Sequence, residues 1–258
     1  RDFNLSAEEV YDELIAIHQE NKPAAKPTFT SDAEVALRRA LEETQRSHFQ
    51  KIGGDQLLLG LLQAQDSTAA QFLKKKGISL ADAQVKLAEL SLLEHLDYAV
   101  GRGDENHTPL HKCCSVKLRR ATFQATADAL ASNSPTVTAA CLLRGALRGE
   151  NELVDTLRAT DYPVDHLYRL LAPPAAGGST APHQLQSSPC AAALFSRMIA
   201  ERQGLHDPAL TTAHLLLAVL ADTKSPLHDQ LVSLGDINRL NHRRVLERYR
   251  AQRSLQAE

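Results

Sequence analysis

Three leucine-rich segments of similar design recur along this 258-residue chain and limit what it can fold into. They begin at Gln56, Cys141 and His214, so successive starts lie 85 and 73 residues apart. Each segment is apolar nearly all round, which predicts a buried helix. Each follows a longer segment rich in Ala, Arg and Leu and precedes a shorter one that ends in a turn. Such recurrence predicts a repeat architecture.

The remaining sequence also has the periodicity of helices. Good helix formers dominate, and strict alternation over a strand length is rare. The sequence therefore predicts an all-α fold. Gly77 and Gly235 follow the short helices of the first and third repeats, where a left-handed helix cap is expected.

Proline-containing segments suggest the boundaries of the domains. Ser6 to Glu9 resembles a capping box that opens an amphipathic helix, and this helix either packs on the body or serves as a docking arm. A Pro- and Gly-rich stretch near residue 175 is typical of a linker. We predict an N-terminal helix and linker over 1–27, a double repeat over 28–172, a linker over 173–186, and a third repeat with a basic helix over 187–258.

Composition argues against several functions. The net charge of −2 provides no basic field for nucleic acid, and no apolar run reaches the roughly 18 residues that cross a bilayer. Four cysteines are too few for a disulfide scaffold. We therefore expect a cytoplasmic protein without nucleic acid or membrane partners.

The first repeat resembles a known family. Its Phe29-Thr30 pair, its segment Ile52 to Leu62 and its final Gly77 resemble the N-terminal repeat of Clp ATPases, whose pattern contains Phe-Thr and Ile-Gly-Thr-Glu-His-Leu-Leu-Leu-Gly-Leu-Leu. The third repeat fits this pattern moderately, and the second fits mainly by its helices. The resemblance implies tandem four-helix repeats, a double repeat plus a degenerate third, with an extra N-terminal helix.

The resemblance also implies a function. Clp N-terminal domains bind adaptors, substrates and peptide-like inhibitors, and pass clients to an AAA+ unfoldase. This sequence has no Gly-x-x-x-x-Gly-Lys-Ser/Thr loop for a nucleoside triphosphate. We predict a non-catalytic module, without cofactor or metal, that binds an adaptor, client or peptide in grooves between repeats. Two alternatives remain open: the recruiting region of a larger AAA+ unfoldase or disaggregase, and a stand-alone protein that sequesters peptide-like inhibitors.

Four residues are candidate partner-binding residues because they match the family pattern. In some members the acid of Ile-Gly-Thr-Glu-His recognises phosphoarginine, and here Asp55 alone keeps an acid there, since the other repeats have alanine. Phe29 and Thr30 match the family's Phe-Thr pair, and Ser115 is the counterpart of Thr30. The alternative is that Asp55 simply favours the start of a helix through the helix dipole.

For the other reactive residues, the sequence predicts structural roles. The cluster His107, His111, Cys113 and Cys114 lacks a standard zinc spacing, so buried thiols are favoured over a metal site. His214 heads a leucine-rich helix and is predicted to be a core or capping histidine rather than a base. The arginines of the last helix favour a solvated face over an acidic partner or nucleic acid.

Overall fold

A computed structural model describes residues 29–46, 51–101, 108–172, 185–235 and 241–257. This part of the chain contains thirteen helices and two strands of two residues each, which confirms the all-α prediction. The predicted N-terminal helix and most of the predicted 173–186 linker lie outside it.

The elements follow one another in a regular order. They are α1 (Ser31–Arg46), α2 (Gly54–Gln63), α3 (Thr68–Lys75), α4 (Leu80–Ala99), α5 (Leu110–Cys113), α6 (Val116–Ala131), β1 (Thr136–Val137), α7 (Ala139–Leu147), α8 (Glu152–Arg158), α9 (Val164–Leu170), β2 (Gln186–Ser187), α10 (Pro189–Leu205), α11 (Thr212–Ala221), α12 (Pro226–Leu234) and α13 (His242–Ala257). Repeat one is α1–α4, repeat two is α6–α9 and repeat three is α10–α13.

Two compact units make up the chain, residues 1–84 and residues 85–258. The first unit holds α1–α3 and the start of α4. The second holds repeats two and three, together with the remainder of α4. The domain boundaries expected from the linkers, at residues 27, 172 and 186, stay a prediction.

The first helix of every repeat begins at a hydroxyl cap. In each case the side-chain oxygen accepts a hydrogen bond from the backbone N–H three residues later, which satisfies one of the free donors of the first turn. The caps are Thr30 to Ala33 at 3.3 Å, Ser115 to Leu118 at 3.2 Å and Ser188 to Ala191 at 3.2 Å. They recur with the offsets of 85 and 73 residues that separate the leucine-rich segments, so these offsets define equivalent positions in the three repeats.

Repeats two and three pair through short extended segments within the second unit. Strands β1 and β2 are parallel, with Val137 opposite Ser187. A second parallel bridge joins Cys114 to Leu210. In each bridge, a segment that precedes a first helix meets a segment that precedes a second helix. The two repeats are therefore related by a pseudo-twofold axis.

The leucine-rich helices of the second unit are buried as predicted. In α7 and α11, Leu142, Leu143, Leu215 and Leu216 are all at most 2% exposed. In repeat one the prediction is only partly correct. Leu59 and Leu62 are buried, but Leu57 is 37% exposed. The described part of the first unit contains helices of a single repeat, whereas α11 also packs on helices of repeat two in the second unit.

The two predicted glycine caps differ in outcome. Gly77 has φ of +79°, which confirms the left-handed cap. At Gly235 the prediction is wrong, because its φ of −124° is extended. A Cβ at residue 235 would lie 2.4 Å from Cε2 of Tyr162. The Tyr162 hydroxyl donates a hydrogen bond to the carbonyl of Leu231, so this position requires a glycine for close approach rather than for a left-handed turn.

A charged contact also ties repeat two to repeat three. The Glu152 carboxylate accepts hydrogen bonds from Lys117 at 3.0 Å and from the Thr212 hydroxyl at 2.6 Å. Burial acts to raise the pKa of Glu152, but these hydrogen bonds outweigh it and hold the pKa below its usual value.

Candidate functional site

Helices α1 and α2 begin at the same end of repeat one. Gly60 of α2 lies against Ala36 and Ala40 of α1, and the Gln63 amide lies 3.5 Å from the carboxylate of Glu43. Because contacts advance along both helices together, the helices run in the same sense. The segments that lead into them, Phe29–Thr30 and Ile52–Gly53, therefore lie at one end of the pair, and we call these two segments the open edge of repeat one.

Apolar side chains of the open edge face solvent. Phe29 is 70% exposed and Ile52 is 39% exposed. Leu57, one turn into α2, is also exposed. Phe29 was a candidate from the family pattern, but Ile52 and Leu57 were missed. Their exposure depends on packing between segments that are distant in sequence, so no local sequence signal reports it.

Asp55 lies in the first turn of α2 and is exposed. The turn is closed by the Gln56 side chain, whose oxygen accepts the backbone N–H of Gly53 at 2.9 Å. A carboxylate at this position is favoured by the positive end of the helix dipole. Its exposure also leaves it accessible to a cationic partner.

The equivalents of Asp55 have different surroundings. Ala140 is half-buried and Ala213 is buried. A carboxylate at either position would lose hydration, and burying an unpaired charge is strongly unfavourable. This difference in burial is a physical reason for an acid in repeat one and alanine in the others.

Thr30 and Ser115 both act as helix caps, which supports the predicted correspondence between them. Their hydroxyl oxygens accept the N–H groups of Ala33 and Leu118. Ser115 also donates its backbone N–H to the carbonyl of Leu210 at 2.7 Å, at the pairing of repeats two and three. Phe29, Thr30 and Asp55 belong to the first unit, whereas Ser115 belongs to the second. A binding role for these four residues stays a prediction.

His214 is a buried capping histidine, as predicted. Its Nδ1 accepts the backbone N–H of Thr211 at 3.0 Å, and its Nε2 lies 2.9 Å from Oδ2 of Asp207. The Tyr249 hydroxyl donates to the same carboxylate oxygen at 2.8 Å. Burial lowers the pKa of His214, although Asp207 acts to raise it. Both ring nitrogens therefore serve to hold α11 and α13 in place.

The cysteines of the metal-like cluster are buried. Cys113, Cys114 and Cys141 are inside the second unit, and Cys190 is exposed. Burial, with a smaller contribution from Cys113, raises the pKa of Cys114 to about 12, so this thiol stays protonated. Within the described ranges no group of His, Cys, Asp and Glu is arranged to hold a metal ion. His107 lies outside these ranges.

An open pocket of about 880 Å³ lies at the C-terminal end of α10 in the second unit. Arg202 contributes a cationic side chain, His206 an imidazole ring and Ile199 an apolar wall. The Arg202 Nε already donates to the carbonyl of Asp207 at 2.9 Å. His206 has φ of +53° and ends the helix in a left-handed cap. Nothing in this pocket defines a ligand.

The recurring caps and paired repeats define an all-α helical repeat protein. Residues 2–76 match the family model described as the Clp repeat (R) N-terminal domain. The match includes α1–α3 of repeat one and confirms the resemblance of this part of the chain to the Clp N-terminal repeat. No curated protein matches the chain in a sequence search. Among the helices that are described, none combines the length and apolar character needed to span a membrane.

Proposed function

We propose that this chain is a non-catalytic, cytoplasmic protein-interaction module of a Clp-type proteostasis system. It binds an adaptor, a client protein or a peptide. The observation that carries this proposal is the exposure of Phe29, Ile52 and Leu57 on a Clp-type repeat. Exposed apolar side chains that lie near one another supply affinity at protein interfaces, and polar groups at the rim supply specificity.

Asp55 supplies a polar contact next to these apolar residues. A carboxylate accepts two parallel hydrogen bonds from a planar guanidinium, so Asp55 suits an arginine of the bound segment. Phosphoarginine, a modified arginine, is a more specific ligand of the same class. The loss of the acid in repeats two and three argues for a single contact of this kind.

The same surface would serve the two other roles that the sequence leaves open. A recruiting region of a larger AAA+ unfoldase and a stand-alone protein that sequesters peptide-like inhibitors both require an exposed apolar binding surface. They differ in what binds, namely an extended client in the first case and a compact peptide in the second.

Binding of a defined unfolded client tests the proposal. We expect the purified chain to raise the fluorescence anisotropy of fluorescein-labelled casein. The variant Leu57→Ser should weaken this binding at least about threefold, because it removes apolar contact area. Leu170→Ser is the matched control, since Leu170 is 51% exposed on α9 of the second unit. Absence of binding, or an equal loss in the control, would contradict the proposal.

A second titration tests Asp55. A fluorescent peptide that contains arginine should bind more weakly to Asp55→Asn than to the unmodified chain, and a matched peptide with citrulline should bind both proteins equally. An arginine-phosphorylated form of the peptide then tests the narrower ligand. Equal affinities of the two proteins for the arginine peptide would exclude this role for Asp55.

A further inference from the structure

The three repeats carry equivalent residues at the positions of the open edge. By the offsets of the helix caps, Phe29 corresponds to Cys114 and Ser187, and Ile52 corresponds to Val137 and Leu210. Cys114 is 7% exposed, Ser187 is half-buried, and both Val137 and Leu210 are fully buried. Phe29 and Ile52 are exposed instead.

The second unit shows what covers these positions. Val137 lies opposite Ser187, and Cys114 lies opposite Leu210. If each residue is given the number of its equivalent in repeat one, both bridges join position 52 of one repeat to position 29 of the other.

The backbone hydrogen bonds obey the same symmetry. Ser115 donates its N–H to the carbonyl of Leu210 at 2.7 Å, and Ser188 donates its N–H to the carbonyl of Val137 at 3.0 Å. Each bond runs from position 30 of one repeat to position 52 of the other. Two equivalent edges therefore complement each other about a twofold axis, which is the defining property of an isologous interface.

We propose that the open edge of repeat one pairs with the same edge of a second copy of this chain. Phe29 then lies opposite the partner's Ile52, and Ile52 lies opposite the partner's Phe29. This inference rests on the proposed function, because it names a partner for the same surface, and a client and a second copy therefore compete for Phe29 and Ile52. The resulting homodimer reproduces between two chains the pseudo-twofold pairing of repeats two and three.

The chemistry of the edge favours a second copy as its occupant. The edge carries both members of the pair, one large apolar residue in each segment, so no other sequence is needed to complete it. Lys51 and Asp55 beside it are both exposed and have opposite charges, so two copies do not present a single sign to each other.

Sedimentation equilibrium of the full chain tests the proposal. We expect the mass to rise with concentration from 28.2 kDa toward twice that value. Phe29→Asp and Ile52→Asp should each raise the dissociation constant of the dimer at least about tenfold, because each places a charge in the paired edge. Leu170→Asp, the matched control, should dimerise like the unmodified chain. Circular dichroism confirms that each variant is folded.

Disulfide trapping tests the register. In a Cys190→Ser background, which removes the exposed thiol, we mix a Phe29→Cys chain with an Ile52→Cys chain. Adjacent strands lie about 4.8 Å apart, within the Cα separation that a disulfide spans. The mixture should form covalent dimers much faster than either chain alone. If either chain alone formed covalent dimers as fast as the mixture, the proposed register would be overturned.

The outcomes also separate this inference from the proposed function. A chain that stays monomeric at its highest soluble concentration, yet binds casein, overturns the homodimer and leaves the proposed function standing. A chain that dimerises, yet fails to bind casein even at concentrations at which it is monomeric, supports the inference and contradicts the client-binding function. In the same background, a disulfide within one monomer between Ile52→Cys and a cysteine introduced into residues 1–20 would identify that segment as the occupant instead, and would overturn the homodimer.

Discussion

Gly145 of α7 lies directly against the backbone of Ala121 in α6, where an added Cβ would be 2.2 Å from the Ala121 carbonyl oxygen. Gly60 bears the same relation to Ala36 in repeat one, with 2.4 Å between the corresponding atoms. The first two helices of these repeats therefore approach each other too closely for a side chain. In repeat three the equivalent residue is Ala218, so this requirement applies only to repeats one and two.

Gly145→Ala should destabilise the second unit by about 1–3 kcal/mol, because the methyl group forces two packed helices apart. Gly204→Ala is the control in the same unit, since a Cβ there meets nothing within 4 Å. It should leave stability unchanged or raise it by up to about 1 kcal/mol through helix propensity. Urea unfolding followed by circular dichroism measures both effects. Similar free energies of unfolding for the two variants would show that the close approach of α6 and α7 does not exclude a methyl group at residue 145.

Stability should fall as the pH drops below about 6.5, in part because of His214. Burial keeps the folded-state pKa of His214 below the unfolded value, so the unfolded chain binds the extra proton first. The stabilising contribution of neutral His214 is therefore complete above the pKa that this histidine has in the unfolded chain. Below that pKa the free energy of unfolding declines by at most about 1.4 kcal/mol per pH unit, until the pH reaches the pKa of His214 in the folded chain.

The variant His214→Gln tests this dependence. Gln56 forms the equivalent cap in repeat one, so glutamine should keep the hydrogen bond to residue 211 while removing the titrating group. We expect the variant to have a smaller difference between its unfolding free energies at pH 7 and pH 5. The two proteins are compared by urea unfolding at both values. An unchanged difference would mean that other groups account for the pH dependence.

Ser115→Ala should destabilise the second unit by about 1 kcal/mol, because it removes the cap of α6. Ser115→Asp should retain most of the stability, since aspartate is an equally good cap. Casein binding of both folded variants is measured alongside thermal unfolding. A loss of casein binding in Ser115→Asp at unchanged stability would point to a direct role of the hydroxyl in the partner site.

One thiol per folded chain should react rapidly with Ellman's reagent, and we assign it to Cys190. The other three cysteines are buried, and the Cys114 thiol has its pKa raised to about 12 by burial. Cys190→Ser should abolish the rapid phase, while urea should expose the remaining three thiols. A rapid phase that persists in Cys190→Ser would contradict the burial of at least one of the other three cysteines.

Much of the fold could be predicted from the sequence, because helix signals are local. The leucine-rich segments predicted the buried helices α7 and α11, and the offsets between them also relate the caps Thr30, Ser115 and Ser188. The capping role of His214 followed from its place at the head of such a helix. The left-handed turn at Gly77 likewise depends on a few neighbouring residues.

Which repeats pair was decided only by the tertiary structure. Ile52, Val137 and Leu210 are all apolar, yet Ile52 is exposed, whereas Val137 and Leu210 are buried. Burial depends on which segments approach each other across long separations in sequence, as in the bridge between Cys114 and Leu210. The sequence by itself determined the recurring helices, the left-handed cap at Gly77 and the capping role of His214, because propensity, capping and periodicity act over one or two turns. The tertiary structure decided that repeats two and three cover each other and that the edge of repeat one faces solvent, because that outcome depends on packing between distant segments.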